Sequence, residues 1–218
     1  VKVISDFRLK DINAGGEGAP LVPIFHKKLI LNSKLKLPAA ILNIGGISNI
    51  TVVNVNKELI GFDIGPGNGP LDKLVEKKLK ISMDKDGKLA KSGLIDKYIK
   101  EKTFNLLNKE MNSNSFDRAE LDNYCLKYLT SLSTSDGLAT LVDLIADIIG
   151  KKKKKYNIKN LIITGGGRKN NALVSAIQNK IEHKLFIAEN LHWDGDSIEA
   201  QAFAYLAVRS FTGMPYTY

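Results

Sequence analysis

The sequence predicts an α/β fold in which a three-strand antiparallel meander is extended by parallel strands into a mixed sheet with flanking helices. Three observations predict it. Three short β-rich runs separated by tight turns lie between Ala39 and Asp63, Gly-rich corners follow three separate strands, and strand and helix patterns alternate from Asn160 to Phe211. With 218 residues and 44% hydrophobic composition, the chain can bury one full core or somewhat more.

The meander comes first. Ala39-Ala-Ile-Leu-Asn-Ile44 runs into Gly45-Gly46, Asn49-Ile-Thr-Val-Val-Asn-Val55 runs into Asn56-Lys57-Glu58, and Leu59-Ile-Gly-Phe-Asp-Ile64 ends at Gly65-Pro66-Gly67-Asn68. Runs rich in β-branched residues between polar or Gly turns read as hairpin-linked strands. Leu71, Leu74, Val75 and Leu79 then recur at helical spacing. From about Ile81 to Gly150 the chain is more polar and reads as helical. Leu138, Leu141, Val142, Ile145 and Ile148 share one face of a helix expected from Asp136 to Ile149, with Asp136 beside Ser135 as its cap. Asn160-Leu-Ile-Ile-Thr164 predicts a buried strand that ends in Gly165-Gly166-Gly167, Asn170 to Ile181 a helix, Leu185-Phe-Ile-Ala188 a strand, and Ser197 to Phe211 a last helix. Three strands, helix, insertion, strand, helix, strand, helix is the order of a ribonuclease H-like core. The residues before Pro38 read as a short extended piece, and no fixed-period repeat is present.

The formal charge of +9, from 32 Lys and Arg against 23 Asp and Glu, permits an anionic partner. The run from Lys151 to Lys155 follows Gly150 and precedes an apolar strand, so it reads instead as a solvated helix-to-strand connection; no aromatic residues interleave with it to stack bases, and no nucleic-acid partner is expected. A lone Cys125 and the lack of an apolar leader with basic flanks lead us to expect a cytoplasmic protein. No run approaches the roughly 18 to 20 apolar residues of a membrane helix, so no membrane partner is expected.

Chemistry is indicated at the Gly-rich corners Asn43-Ile-Gly-Gly46, Asp63-Ile-Gly-Pro-Gly-Asn68 and Thr164-Gly-Gly-Gly167. Glycine lets a backbone amide approach a phosphate without a Cβ in the way. One such turn is usually structural; three at strand ends, one carrying Asp63, point toward nucleotide binding. Neither GxxxxGK[ST] nor GxGxxG occurs. Ahead of the meander, Asp6, Arg8 and Asp11 lead into a Gly-rich stretch ending at Leu21. An Asp held by a loop can serve as a general base. On the residues alone, the alternative stands that Asp11 caps a turn and the glycines bend the chain.

These stretches resemble the anhydro-N-acetylmuramic acid kinases. The similarity runs through Asp6 to Leu21 and on to His26, Leu42-Asn-Ile-Gly-Gly-Ile-Ser-Asn-Ile-Thr51, Gly61-Phe-Asp-Ile-Gly-Pro-Gly-Asn68, Asp86-Gly87, Ala139-Thr140-Leu141, Gly165 to Gly167 followed by Asn170, and Ile198-Glu199-Ala200. The resemblance implies an actin-like ATPase fold and a kinase that uses ATP, Mg2+ and water to open a 1,6-anhydro sugar and phosphorylate its O6 in cytoplasmic cell-wall recycling. It implies Asp11 as the base, with Asp6 the alternative, and Asp6, Arg8 and Glu199 toward the sugar. Asn43, Gly45 and Gly46 would form a phosphate loop. Asp63 would sit near phosphates and metal with Gly65, Gly67 and Asn68, and Gly165, Gly166 and Gly167 would pack under the adenosine. Glu199 could instead cap its helix, and His26 and Trp193 are left as packing or surface residues.

The chain departs from the family pattern where no Gly-Thr-Ser-type phosphate turn precedes Asp6, where Ile64 and Pro70 replace other residue types, and in Asn114-Ser-Phe-Asp-Arg-Ala-Glu120. It opens at Val1 and stops at Tyr218. The expectation is a chain truncated at its amino terminus, with 1–37 the remnant of a first actin-like domain and crossover. Residues 38–218 would be a second ribonuclease H-like domain with a helical insertion at about 81–135. Expected partners are the sugar and ATP, a missing amino-terminal domain or complementing chain, and a second copy. The alternative to a kinase is an inactive remnant that binds nucleotide or a partner chain.

Overall fold

The computed structural model describes residues 3–16, 18–110, 117–215 and 217; Val1, Glu17, Tyr218 and the Asn114 to Phe116 part of the departing stretch lie outside them. In chain order the elements are α1 (Phe7–Asn13), α2 (Pro23–Asn32), β1 (Ala39–Ile44), β2 (Ile47–Val53), β3 (Leu59–Pro66), α3 (Asn68–Leu79), α4 (Lys88–Ser92), α5 (Lys97–Glu110) and α6 (Arg118–Leu129). Then follow α7 (Thr134–Lys155), β4 (Asn160–Thr164), α8 (Asn171–Asn179), β5 (Leu185–Ile187) and α9 (Ile198–Phe211).

The five strands are ordered β3-β2-β1-β4-β5. β1, β2 and β3 pair antiparallel, and β4 and β5 continue parallel to β1, as the sequence predicts. Both faces of the sheet are covered, so successive residues of a strand enter different cores. Ala40, Leu42 and Ile44 join a large core with Leu74, Leu121, Cys125, Leu141, Ile145 and Leu173 from α3, α6, α7 and α8. Ala39, Ile41, Val53 and Ile162 face the other way, against Ile30 of α2. On that side α2 and α9 meet through Phe25, Ile198 and Ala202, and α1 adds Phe7 against Leu206.

Three expectations are corrected. The stretch before Pro38 is not extended: it forms α1 and α2, and α2 packs on β1, β2 and β3. Pro23 occupies the first turn of α2, where its fixed φ suits a helix and its missing N–H leaves no bond unmade. The helix expected from Asp136 begins earlier, at Thr134, with Ser133 and not Asp136 as the cap: the Ser133 Oγ accepts the Asp136 N–H at 3.1 Å. Its other end carries on through Lys151 to Lys155, which therefore form the last turn of α7 and not a connection. Lysine is a good helix former and a cation is favoured at the carboxyl end of a helix, so a lysine run does not interrupt one. Nor is the run wholly solvated. Lys153 is buried with its Nζ 3.3 Å from His183 Nδ1, and Lys151 and Lys152 lie over the Phe104 and Phe62 rings.

Among the described residues no helix is long and apolar enough to cross a membrane.

Candidate functional site

Strand register builds the site. Thr164 is paired with Asn43, Asn43 with Asn49 and Asn49 with Asp63, so four polar residues stand side by side on four neighbouring strands. By strand alternation they lie on the α2 and α9 face, and all four line a cavity of about 490 Å3. Arg8, His26, Gly165, Gly166, Arg168, Asp196, Glu199 and Phe203 complete its polar and aromatic wall. It opens near the carboxyl ends of β1, β3 and β4, where open α/β sheets bind ligands. The Thr164 hydroxyl is buried and has no hydrogen-bond partner among the described residues.

The three Gly-rich corners converge beside this row. Gly67 and Gly69 N–H donate to the Gly46 carbonyl at 3.1 Å each, and Asn68 N–H donates to the Gly45 carbonyl at 2.7 Å. Gly165 has φ +73, and a Cβ on it would overlap Asn43 Oδ1 and lie 2.7 Å from the Ile44 carbonyl. Only glycine permits both that conformation and that approach between the β4 corner and β1.

Arg168, directly after the third corner, is 4% exposed in its side chain and held on three sides. Its Nε meets Glu189 at 2.7 Å, its Nη2 meets Asp196 at 2.8 Å, and its Nη1 donates to the Gly165 carbonyl at 2.9 Å. Burial works against the guanidinium charge, and the two carboxylates overcome it, so its pKa is raised. The third corner is thereby clamped to the segment leading into α9. His26 is buried, which lowers its pKa to about 4 and keeps the ring neutral; its Nδ1 lies 2.8 Å from Thr51 Oγ1, one step along β2 from the polar row.

Of the residues singled out from sequence, Asn43, Asp63, Gly165, Gly166, Arg8 and Glu199 line this cavity. Gly45, Gly46, Gly65, Gly67, Asn68 and Gly167 build the converging corners at its edge. Asp11 is not brought to it. The Asp11 Oδ2 accepts the Gly18 N–H at 2.8 Å, and with Gly16, Pro23, Lys27 and Glu58 the residue lines an adjoining cavity of about 970 Å3, which shares Ala19, Pro20 and Leu21 with the first. Asp6 is exposed at the start of α1 with φ 60, its Oδ2 accepting the Ser5 hydroxyl at 3.0 Å. Sequence reasoning missed Asn49, Arg168 and Asp196, named Thr164 only as the start of a Gly-rich corner, and left His26 as a packing or surface residue. Asn49 and Thr164 join the row only through the pairing register of their strands, which spacing along the chain does not disclose.

The family model described as anhydro-N-acetylmuramic acid kinase matches residues 1–218. Among curated proteins, the anhydro-N-acetylmuramic acid kinase of Pelagibacter ubique is 41% identical over 95% of this chain, and that of Caulobacter vibrioides 39% identical over 99%. That of Methylorubrum populi is 36% identical over 100% of this chain. The chain spans 58% of the length of each of these relatives. Two solved structures share the fold. The activator of the 2-hydroxyisocaproyl-CoA dehydratase from Clostridium difficile with bound ADPNP superimposes with a TM-score of 0.51 at 14% identity, covering 86% of this chain and 69% of that one. Component A of the (R)-2-hydroxyglutaryl-CoA dehydratase from Acidaminococcus fermentans does so with a TM-score of 0.51 at 13% identity, covering 86% and 68%. At such identities the likeness bears on fold alone, and that fold is the actin-like ATPase fold.

Proposed function

The chain belongs to the anhydro-N-acetylmuramic acid kinase family, and from that premise we propose that it supplies the nucleotide-holding half of an ATP-dependent kinase. The reaction is conversion of 1,6-anhydro-N-acetylmuramic acid, with water, to N-acetylmuramic acid 6-phosphate in cytoplasmic cell-wall recycling. Water adds at the anomeric carbon, the bond from that carbon to O6 breaks, and the freed O6 takes the γ-phosphoryl group of ATP to leave ADP. The observation that carries this reading is the polar row of Asp63, Asn49, Asn43 and Thr164 beside three converging Gly-rich corners.

The residues present fit nucleotide and magnesium. Asp63, Asn49 and Asn43 are hard oxygen donors in one row, the kind of set that holds Mg2+ through one or two protein oxygens together with phosphates. The ion, when bound, neutralises phosphate charge. At the Gly45-Gly46 corner the Gly45 N–H is held by the Ile47 carbonyl at 3.2 Å, so Gly46 is the residue whose amide would meet phosphate, and the missing Cβ at Gly165 lets the third corner pack directly on Asn43 and Ile44 of β1. Arg168 clamps that corner in place. Arg8 and Glu199, on the opposite wall, face the sugar. In this reading residues 38–218 form the second ribonuclease H-like domain of the kinase, with α2 packed on its sheet and α1 against α9.

Asp11 is the proposed base, with Asp6 the alternative; the Gly18 N–H fixes one Asp11 oxygen and leaves the other for water. That Asp11 lines a different cavity from the polar row favours a second reading, in which this chain alone binds nucleotide without turnover. Measuring ADP release from Mg·ATP with the anhydro sugar separates the two, using this chain alone and the chain joined to a family-type amino-terminal domain. Turnover in the joined protein that Asp11→Asn abolishes supports the kinase reading. Nucleotide binding with no turnover in either protein supports the second, and full turnover by Asp11→Asn refutes the base.

A further inference from the structure

We infer that Arg118 of α6 contacts the phosphates of the nucleotide at the Gly45-Gly46 corner, with Asp122 holding it in place. The inference rests on the nucleotide reading of that corner. It starts from room. A Cβ on Gly46 would lie 2.7 Å from Arg118 Nε and 2.8 Å from its Cζ, and one on Gly69 would lie 3.3 Å from the same Nε. The guanidinium therefore rests in the space that glycines leave at two corners joined by backbone hydrogen bonds.

The charge of Arg118 is little used by the protein. Its side chain is 63% exposed, and its ion pair among the described residues is a 4.0 Å approach to Asp122 Oδ2. A guanidinium has five N–H donors in a planar fork suited to phosphate, so most of them are left for a ligand. Asp122 is an anchor of another kind. Its side chain is 5% exposed, its Oδ1 is buried without a partner among the described residues, and it sits one helical turn after Arg118. A carboxylate so placed steers the guanidinium without saturating it. Burial raises its pKa, against the pull of Arg118 and Lys73. Asp72 of α3 stands near the same pair, its pKa raised by burial to about 6 and drawn down by Arg118. α6 packs on α3 and α5, and through Arg118 this helix of the polar middle segment reaches the Gly46 corner.

The test is calorimetric titration of the whole chain with Mg·ATP and separately with adenosine. For Arg118→Ala, Mg·ATP affinity is expected to fall about 10- to 100-fold, the worth of a charge-assisted contact. Adenosine affinity and melting temperature stay unchanged, and Arg118→Lys recovers part of the loss. Asp122→Asn, read the same way, weakens Mg·ATP and spares adenosine. Equal Mg·ATP affinity of Arg118→Ala and the unsubstituted chain overturns this inference alone, as does an equal loss for ATP and adenosine, which would mark a general structural effect. An unsubstituted chain that binds no Mg·ATP overturns the nucleotide reading and the inference together.

Discussion

Replacing Thr164 by valine should make the chain more stable and a poorer binder at once. Thr164 is 1% exposed at the end of β4, and its hydroxyl is buried with no partner among the described residues. Leaving such a group unsatisfied costs about 1–3 kcal/mol. Valine has nearly the same shape, favours strands as threonine does, and removes the penalty while keeping the contacts of the side chain. The expected gain is therefore about 1–2 kcal/mol, which for a chain of this size is about 2–8 °C in melting temperature. Scanning calorimetry of the chain without nucleotide gives the first number, and titration with Mg·ATP gives the second. If the hydroxyl serves the ligand, Thr164→Val melts higher and binds more weakly. A lower melting temperature for Thr164→Val would mean that the hydroxyl has a protein partner and would refute the reasoning.

Gly165→Ala must place a Cβ on a residue with φ +73 and against the Ile44 carbonyl, so urea unfolding should show a loss of about 1–3 kcal/mol; an unchanged midpoint would deny the close approach. Burial raises the Asp72 pKa to about 6 from 3.8. Between those values the folded chain holds a proton that the unfolded chain releases, so stability falls as pH rises through that window. Asp72→Asn should accordingly raise the melting temperature at pH 8 and have almost no effect near pH 3.5, and an equal shift at both contradicts the assignment. His26 has the opposite sign. With its pKa lowered to about 4, the unfolded chain takes up a proton that the folded chain refuses, so stability is lost as pH falls from 6.5 toward 4. His26→Gln should flatten that slope, as read by melting temperature across the same range.

What the residues disclosed on first reading was what depends on local pattern. The meander was legible because β-branched alternation and Gly turns are written within a few residues of each other, and the ribonuclease H-like order followed from the meander together with the alternation after Asn160. What was hidden depends on register or on context that propensity does not carry. Asn43, Asn49, Asp63 and Thr164 are far apart in sequence and become one row only when two turns and a crossover set their alignment. Arg168 reads as a surface residue until Glu189 and Asp196 are brought to it. The Lys151 to Lys155 run looked like a connection because it follows Gly150 and precedes an apolar strand, although a glycine does not by itself end a helix and lysine continues one. Asp11 shows both of its readings at once: its carboxylate does hold the turn at Gly18, while the family resemblance makes it the base.

The central claim is that the three Gly-rich corners and the polar row between them hold ATP. The most direct measurement is an amide-resolved NMR titration of the chain with Mg·ATP. Saturable shifts concentrated at Gly45, Gly46, Gly67, Gly165 and Gly166, with smaller ones along β1 and β4, are the expected result. Saturable shifts confined to other surfaces, or none at all in a folded chain, would contradict it.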